Sequence, residues 1–403
     1  MTTVRENGVD DEAASLRAAM VRELHDLGAI TSETLAGAVA TVPRHLFAVD
    51  EPLKAAYAAD QALVIKRDQD GTALSSLSAT HIQVVMLEQA EIEPGMRVLE
   101  VGSGGYNAAL IAELVGDTGA VVSVDIDAEI VERARTCLDA AGYEQVEVVQ
   151  SDADAGVPEH APFDRIIVTA GAWDIPSAWL DQLSEHGRIV VPLRMRGLTR
   201  SIAFDRADEG LVSDSYRLCG FVAMQGAGAY TERLIRVADG IGLRVDDQRQ
   251  DFDINGLAAA VRSPGLEVWS GAAFDLPDEL ELFLATSTPE MAMLHGSKDL
   301  VEQGVFALSV TRGVPALVVG GSFAYRTKRP NQETGGFESG VFAHGPDAEA
   351  VAARYIDLLR RWASEHQRRG AARIRYRPMP SGTAKPSQGI VAKQLGAVEI
   401  SWS

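Results

Sequence analysis

Residues 98–107 read VLEVGSGGYN. An apolar strand runs into Glu100, Gly102-Ser103-Gly104-Gly105 turns the chain, and an amphipathic run, YNAALIAELVG, follows. Downstream, VVSVDID closes a second apolar strand on Asp125, 21 positions after Gly104. A glycine turn between strand and helix, with an acid at the tip of the next strand, is how open α/β sheets build a nucleoside site. The glycines permit close backbone approach, and the acid can take both ribose hydroxyls. Two details decide which nucleoside. Asn107 stands where a dinucleotide fingerprint has its last glycine, and Glu100 places an acid just before the loop. Both favour a cationic ligand without phosphate, of the S-adenosylmethionine kind.

The same alternation extends outward. A helix over roughly 79–91 leads through Pro94-Gly95 into RVLEV, and AEIVERARTCLDAAG, VEVVQ, DRIIVTA, PSAWLDQL and GRIVVPL follow in turn. Helices between apolar strands predict a mostly parallel sheet with right-handed crossovers, a Rossmann-like α/β fold. Ligands of such sheets lie beyond the carboxyl ends of the strands. Glu100, Asp125, Asp152 and the segment Thr169-Ala170-Gly171-Ala172 are therefore expected to rim one crevice. Residues 1–78 read as an N-terminal helical and substrate-loop region. Its first helix carries Leu16, Met20, Leu24 and Leu27 at helical spacing and stops at Gly28; a second starts from Ser32. Residues 79–229 read as the cofactor-binding domain. Past about residue 230 the pattern becomes mixed helix and strand, and 230–403 is expected to form an α+β accessory domain.

Composition narrows the function classes. A hydrophobic share of 46% with 23% charged residues is that of a soluble globular chain, and no run approaches the ~18 apolar residues of a membrane span. The polar, acidic start MTTVRENGVDDEAAS has no signal-peptide core, so a cytoplasmic setting is expected. Two cysteines, Cys137 and Cys219, make neither a disulfide framework nor a metal site. A formal charge of −20 argues against non-specific nucleic-acid binding. From Arg354 to Lys393, however, ten Lys or Arg stand against Asp357 and Glu365. That stretch is either a contact for an acidic partner or a solvated helix face, and the second reading is favoured.

Several blocks in order resemble protein-L-isoaspartate O-methyltransferases. Val42-Pro43-Arg44 with Phe47 is similar to a "VPR…F" block of that family, and Ala56-Tyr57 with Asp60 to its "AY..D". Ser76-Leu77-Ser78-Ala79-Thr80-His81 is similar to its "TISxPH". VLEVGSGG, VDI, Ser151-Asp152, APFDRIIVTAGA and GRIVVPL then follow in the family's order. The resemblance spans roughly residues 12 to 226. It implies a class I methyltransferase fold, S-adenosylmethionine as cofactor, and Ser78 as the active-site residue. The chain also departs from the pattern: Tyr106 directly follows Gly105, one residue early, and a long C-terminal region is added. Those departures look like a subfamily from the biosynthesis of ribosomal peptides, FxLD-type lanthipeptides and graspetides, whose members are understood to methylate an aspartate in a modified precursor.

Methyl transfer to a carboxylate needs no general base, because an aspartate with a reference pKa of about 3.9 is already ionised near neutral pH. Alignment and desolvation are the enzyme's work. Ser78 is expected to hydrogen-bond the acceptor carboxylate; a cap on the helix beginning at Ala79 is the plain alternative, and both can hold at once. For the cofactor, Glu100 is expected at the ammonium; Gly102, Ser103 and Gly104 at the carboxylate; Asp125 and Ile126 at the ribose; Asp152 and Ala153 at the adenine. Ser76 and His81 are expected nearby. The plain alternatives are loop-amide bonding for Glu100, a turn for Asp152 and a structural histidine. Asp127 reads as the cap of the next helix. Thr169, Ala170, Gly171, Ala172 and Gln225 are expected along the path of the peptide substrate, and Trp173 beside them. Tyr325, Arg326, Lys328 and Arg329 either meet an acidic peptide or form an exposed basic turn.

The leading expectation is thus methylation of an aspartate in an acidic, cyclised precursor peptide, leading to succinimide or isoaspartate. General repair of isoaspartyl residues in damaged proteins is the alternative. A non-catalytic peptide scaffold is the third.

Overall fold

The computed structural model describes residues 2–402 except Arg249 and Thr334, with side chains from Asp10 onward. The chain divides into two compact units, Met1–Leu193 with Thr199–Tyr230, and Arg194–Leu198 with Thr231–Ser403.

In the first unit, α1 (Thr2–Asp26), α2 (Glu33–Thr41) and the short α3 (Leu53–Ala56) precede a hairpin, β1 (Leu63–Arg67) and β2 (Ala73–Leu77). There follow α4 (Thr80–Ala90), β3 (Arg97–Val101), α5 (Tyr106–Val115), β4 (Ala120–Asp125), α6 (Ala128–Ala141), β5 (Glu147–Gln150), β6 (Phe163–Val168), α7 (Ser177–Gln182) and β7 (Leu183–Met195). The closing pair is β8 (Leu198–Ala207) and β9 (Gly210–Leu218). Neighbouring strands run β5-β4-β3-β6-β7-β8-β9. Pairs among β3 to β7 are parallel, with Glu100 opposite Ser123 and Val101 opposite Val168; β8 and β9 are antiparallel. The strand order reverses at β3, and the crevice between the ends of β3, β4 and β6 is where such a sheet binds ligands. This is the Rossmann-like, mostly parallel sheet expected.

Local chemistry starts and stops the elements around the crevice. Asp127 accepts from the Glu129 amide and caps α6, as expected, and Gly142 at φ +82° ends that helix. Ser32 caps α2 through the Leu35 amide. Met20 and Leu24 are buried in a core shared with α2, α5 and α6. Leu27 does not join them: it lies beyond the last turn of α1 and is 59% exposed.

The second unit holds an antiparallel sheet. Its elements are β10 (Arg233–Ala238), β11 (Ile241–Val245), α8 (Ile254–Val261), β12 (Leu266–Ala273), α9 (Pro277–Thr286), β13 (Met291–Gly296), α10 (Lys298–Glu302), β14 (Val314–Val319), β15 (Ser322–Pro330), β16 (Phe337–His344) and α11 (Ala348–Arg361). The strands order as β10-β11-β13-β14-β15-β16-β12. Three further strands, β17 (Arg373–Pro378), β18 (Ile390–Ala392) and β19 (Gly396–Ser401), pair around β19. Tyr325 and Arg326 point into this unit and are buried, which removes both from the expected exposed basic turn. The Tyr325 hydroxyl accepts from the Ala307 amide, and Arg326 pairs with Glu281 at 2.7 Å. Lys328 and Arg329 remain exposed, over the rings of Phe274, Phe337 and Trp269. Among the described residues no helix is long and apolar enough to cross a membrane.

Candidate cofactor and acceptor site

The glycine loop is built by close approach. Gly102 adopts φ +99°, and a Cβ there would lie 2.4 Å from Thr169 Oγ1. That hydroxyl is fixed, 3.0 Å from both the Val101 and the Gly102 carbonyl. Only glycine meets both conditions. The next amide, Ser103 N–H, donates to Asp125 Oδ2 at 2.9 Å, while Asp127 N–H donates to Oδ1 at 3.0 Å. Asp125 thereby ties the loop after β3 to the tip of β4.

Above this floor lies a cavity that opens to solvent. Gly102, Ser103, Gly104, Asp125 and Ile126 line one side. Asp152, Ala153, Thr169 and Ala170 line another. The roof comes from Ser75 and Ser76 at the end of β2 and from residues 222–225 after β9. Gln225 Nε2 joins the two roof pieces by donating to the Leu74 carbonyl at 3.3 Å. Asp152 holds the roof strand, accepting from the Ala227 amide at 2.8 Å.

The electrostatics are one-sided. Asp125, Asp127 and Asp152 line the cavity, and among the described residues no Lys or Arg does. Lys66 on β1 reaches Asp127 and Glu129, each at 2.6 Å, and its bond holds the Asp127 carboxyl below the usual range. Burial and the charges of Asp152 and Asp174 push Asp154 up. Such a wall repels phosphate and suits a cation. Ser103 Oγ is buried and, among the described residues, has no hydrogen-bond partner. An unspent hydroxyl beside glycine amides is what a carboxylate would fill.

Some expected residues are not brought to this cavity. Glu100 is fully buried behind the loop, with its carboxyl receiving Asn107 Nδ2 at 2.8 Å and Ser123 Oγ at 2.5 Å. Burial pushes its pKa to about 7. It is bonded from within and is not among the residues that line the cavity. His81 is also turned away: its amide and Nδ1 both lie 3.0 Å from the Ala59 carbonyl. Gly171 and Ala172 are buried in bridges to Ala223 and Leu193, and Trp173 stacks on Tyr230 at 3.7 Å. Ser78 follows β2 one residue beyond Leu77. It does not cap α4, whose cap position is Ala79 without a side-chain bond, and it is not among the residues lining the cavity.

The sequence profile described as "Protein-L-isoaspartate(D-aspartate) O-methyltransferase (PCMT)" matches residues 15–227, just over half of the chain. The chain belongs to this family. A protein-L-isoaspartate O-methyltransferase of Methanococcoides burtonii is 43% identical over 175 residues, covering 43% of this chain and 82% of that one. Another, of Methanopyrus kandleri, is 37% identical over 219 residues, covering 54% and 94%. A solved structure titled protein-L-isoaspartate O-methyltransferase aligns over 96% of this chain and 99% of its own, with a TM-score of 0.51 and 23% identity. That likeness concerns the fold alone, and it extends beyond the first unit.

The fold is that of class I methyltransferases, and S-adenosylmethionine is the cofactor of this enzyme family. The glycine floor, the unspent Ser103 hydroxyl and the acidic wall fit that group. Reading the sequence missed the roof contributed by Val222, Ala223 and Met224 and the ties made by Lys66. The apolar FVAM run before Gln225 was the available signal for the first. None existed for Lys66, whose partner Asp127 lies 61 positions away.

Proposed function

We propose that this chain esterifies the free carboxylate of L-isoaspartyl residues in proteins and peptides, using S-adenosylmethionine. The observation that carries the reading is the family match over 15–227, which encompasses every residue lining the cavity. When bound, the cofactor supplies a methyl group on a sulfonium, a leaving group that needs no protonation. Asp125 would take the ribose hydroxyls, Asp152 with Ala153 the adenine, and Ser103 with the amides after Gly102 the methionine carboxylate. Ser78 would hydrogen-bond the acceptor carboxylate and fix its line of attack. Thr169, Ala170 and Gln225 would border the peptide. No base is assigned, since the acceptor is anionic at neutral pH. The resulting methyl ester is activated toward the following backbone nitrogen, which closes a succinimide and expels methanol.

The narrower reading, methylation of an ordinary aspartate in a cyclised, acidic precursor, rests on the early Tyr106 and the C-terminal region. It is the weaker of the two. Tyr325 and Arg326 are buried, and the matching family model and the relatives over 30% identical carry the isoaspartate name. The scaffold reading has less support still, given the intact floor and acidic wall. One assay separates all three: S-adenosylhomocysteine release with an isoaspartyl peptide and with the same peptide carrying aspartate. Turnover on the isoaspartyl form alone is expected. Turnover on neither peptide, with no binding of S-adenosylhomocysteine, would refute the proposal.

A further inference from the structure

Arg44 belongs to the Val42-Pro43-Arg44 block and does not line the cavity. Its side chain is fully buried. Nε donates to the Ala56 carbonyl at 2.8 Å, Nη1 to Gln83 Oε1 at 2.9 Å and Nη2 to the Ser78 carbonyl at 2.8 Å. All three acceptors are neutral. Among the described residues no carboxylate lies within ion-pair distance of it. A buried charge without a counter-ion is costly, and here burial pulls the guanidinium pKa down to about 10, with only Tyr106 and Tyr57 opposing.

The position of this charge is the informative part. The guanidinium lies over the ring of Tyr106, 4.7 Å from its centroid, and Tyr106 is the first residue of α5, directly after the glycine loop. On its other side it holds the carbonyl of Ser78, two residues past Ser76 in the cavity roof. One cation therefore backs both the loop and the segment that carries the proposed acceptor-binding hydroxyl. Thr80 Oγ1 and the Tyr106 hydroxyl, both buried, have no partner among the described residues, so the neighbourhood holds unspent polar capacity as well as unspent charge.

We propose that Arg44 is the positioning residue of the acceptor site, holding the Ser78 segment in place and supplying the positive potential that selects a carboxylate. This rests on the reading of the chain as a carboxyl methyltransferase. The missing counter-charge arrives with the substrate. In general, a fixed charge acting over ~10 Å through an effective dielectric constant of ~20 favours an anion over a neutral isostere by on the order of tenfold.

The test compares two ligands on the full-length protein saturated with S-adenosylhomocysteine: an isoaspartyl peptide and the same peptide with the carboxylate converted to the amide. Wild type should bind the carboxylate about tenfold more tightly. In R44M that preference should collapse toward unity, whereas R44K should keep most of it. A purely structural arginine would weaken both ligands alike, leaving the preference unchanged, and that result would overturn the proposal. So would loss of S-adenosylhomocysteine binding in both variants. Should R44M alone lose it, R44Q carries the comparison. Failure of wild type to methylate the isoaspartyl peptide is a separate result, which refutes the proposed function whatever the Arg44 variants do.

Discussion

Glu100→Gln gives the sharpest prediction because burial of the carboxyl sets its sign. The carboxyl is fully buried, bonded to Ser123 and Asn107, and its pKa rises from 4.5 to about 7, chiefly through desolvation. Below pH 4.5 the group is protonated whether the chain is folded or not, and it exacts no penalty. Between 4.5 and 7 the unfolded chain releases a proton that the folded chain retains, so stability falls as pH rises. Above 7 the loss is complete and amounts to up to about 3 kcal/mol. Glutamine has the shape of the protonated acid and can keep one bond to each partner. Thermal midpoints of both proteins, measured from pH 4.5 to 8.5, should therefore coincide at the acid end. At pH 8 the variant should melt higher by roughly 6–10 °C for a unit of this size. A difference independent of pH would refute the reasoning. S-adenosylhomocysteine should bind the variant within ~3-fold of wild type, because the carboxyl lies outside the cavity; a loss of 1.4 kcal/mol or more, about tenfold, would place Glu100 against the ligand instead.

Gly102→Ala should destabilise the first unit by on the order of 2–3 kcal/mol, from positive φ and the clash with Thr169; urea unfolding with no change in midpoint would contradict the close approach. Asp125→Ala should weaken S-adenosylhomocysteine binding by at least tenfold in calorimetry, since it removes both the ribose acceptor and the anchor of the Ser103 amide. Ser78→Ala should spare that affinity and lower kcat on an isoaspartyl peptide by roughly 10²-fold; equal turnover would take Ser78 out of the mechanism. In the second unit, His344 is buried against Phe306 and Phe323, and desolvation holds its pKa below 6.5. Its contribution to stability is present above pH 6.5 and lost as pH falls through the depressed value. His344→Phe should therefore narrow the drop in melting temperature between pH 7 and 5, and an undiminished drop would count against a neutral buried ring.

Alternating apolar strands and amphipathic helices between 79 and 195 were enough to predict the parallel sheet, because a two-residue or a 3.6-residue period can bury its apolar face in few ways. The glycine loop, Asp125 and the cap at Asp127 were equally legible, since each acts on residues close in sequence. Glu100 lies outside the cavity lining for a physical reason. A strand residue points to one face or the other, and the sequence records the acid without recording that Ser123 on β4 and Asn107 on α5 are there to receive it. His81 and the exposed reading of Tyr325 and Arg326 failed in the same way, through partners supplied by distant segments.

The sequence by itself determined the family, through its motif blocks, and the order of strands and helices around a glycine turn, consequences of local periodicity and of what glycine alone permits. Tertiary structure decided which acids face the cavity, which hydroxyls remain unspent, and that Arg44 is buried behind Ser78 without a counter-ion. Those properties depend on which side chains meet across tens of residues, and burial sets the energy of a charge only once the chain has closed around it.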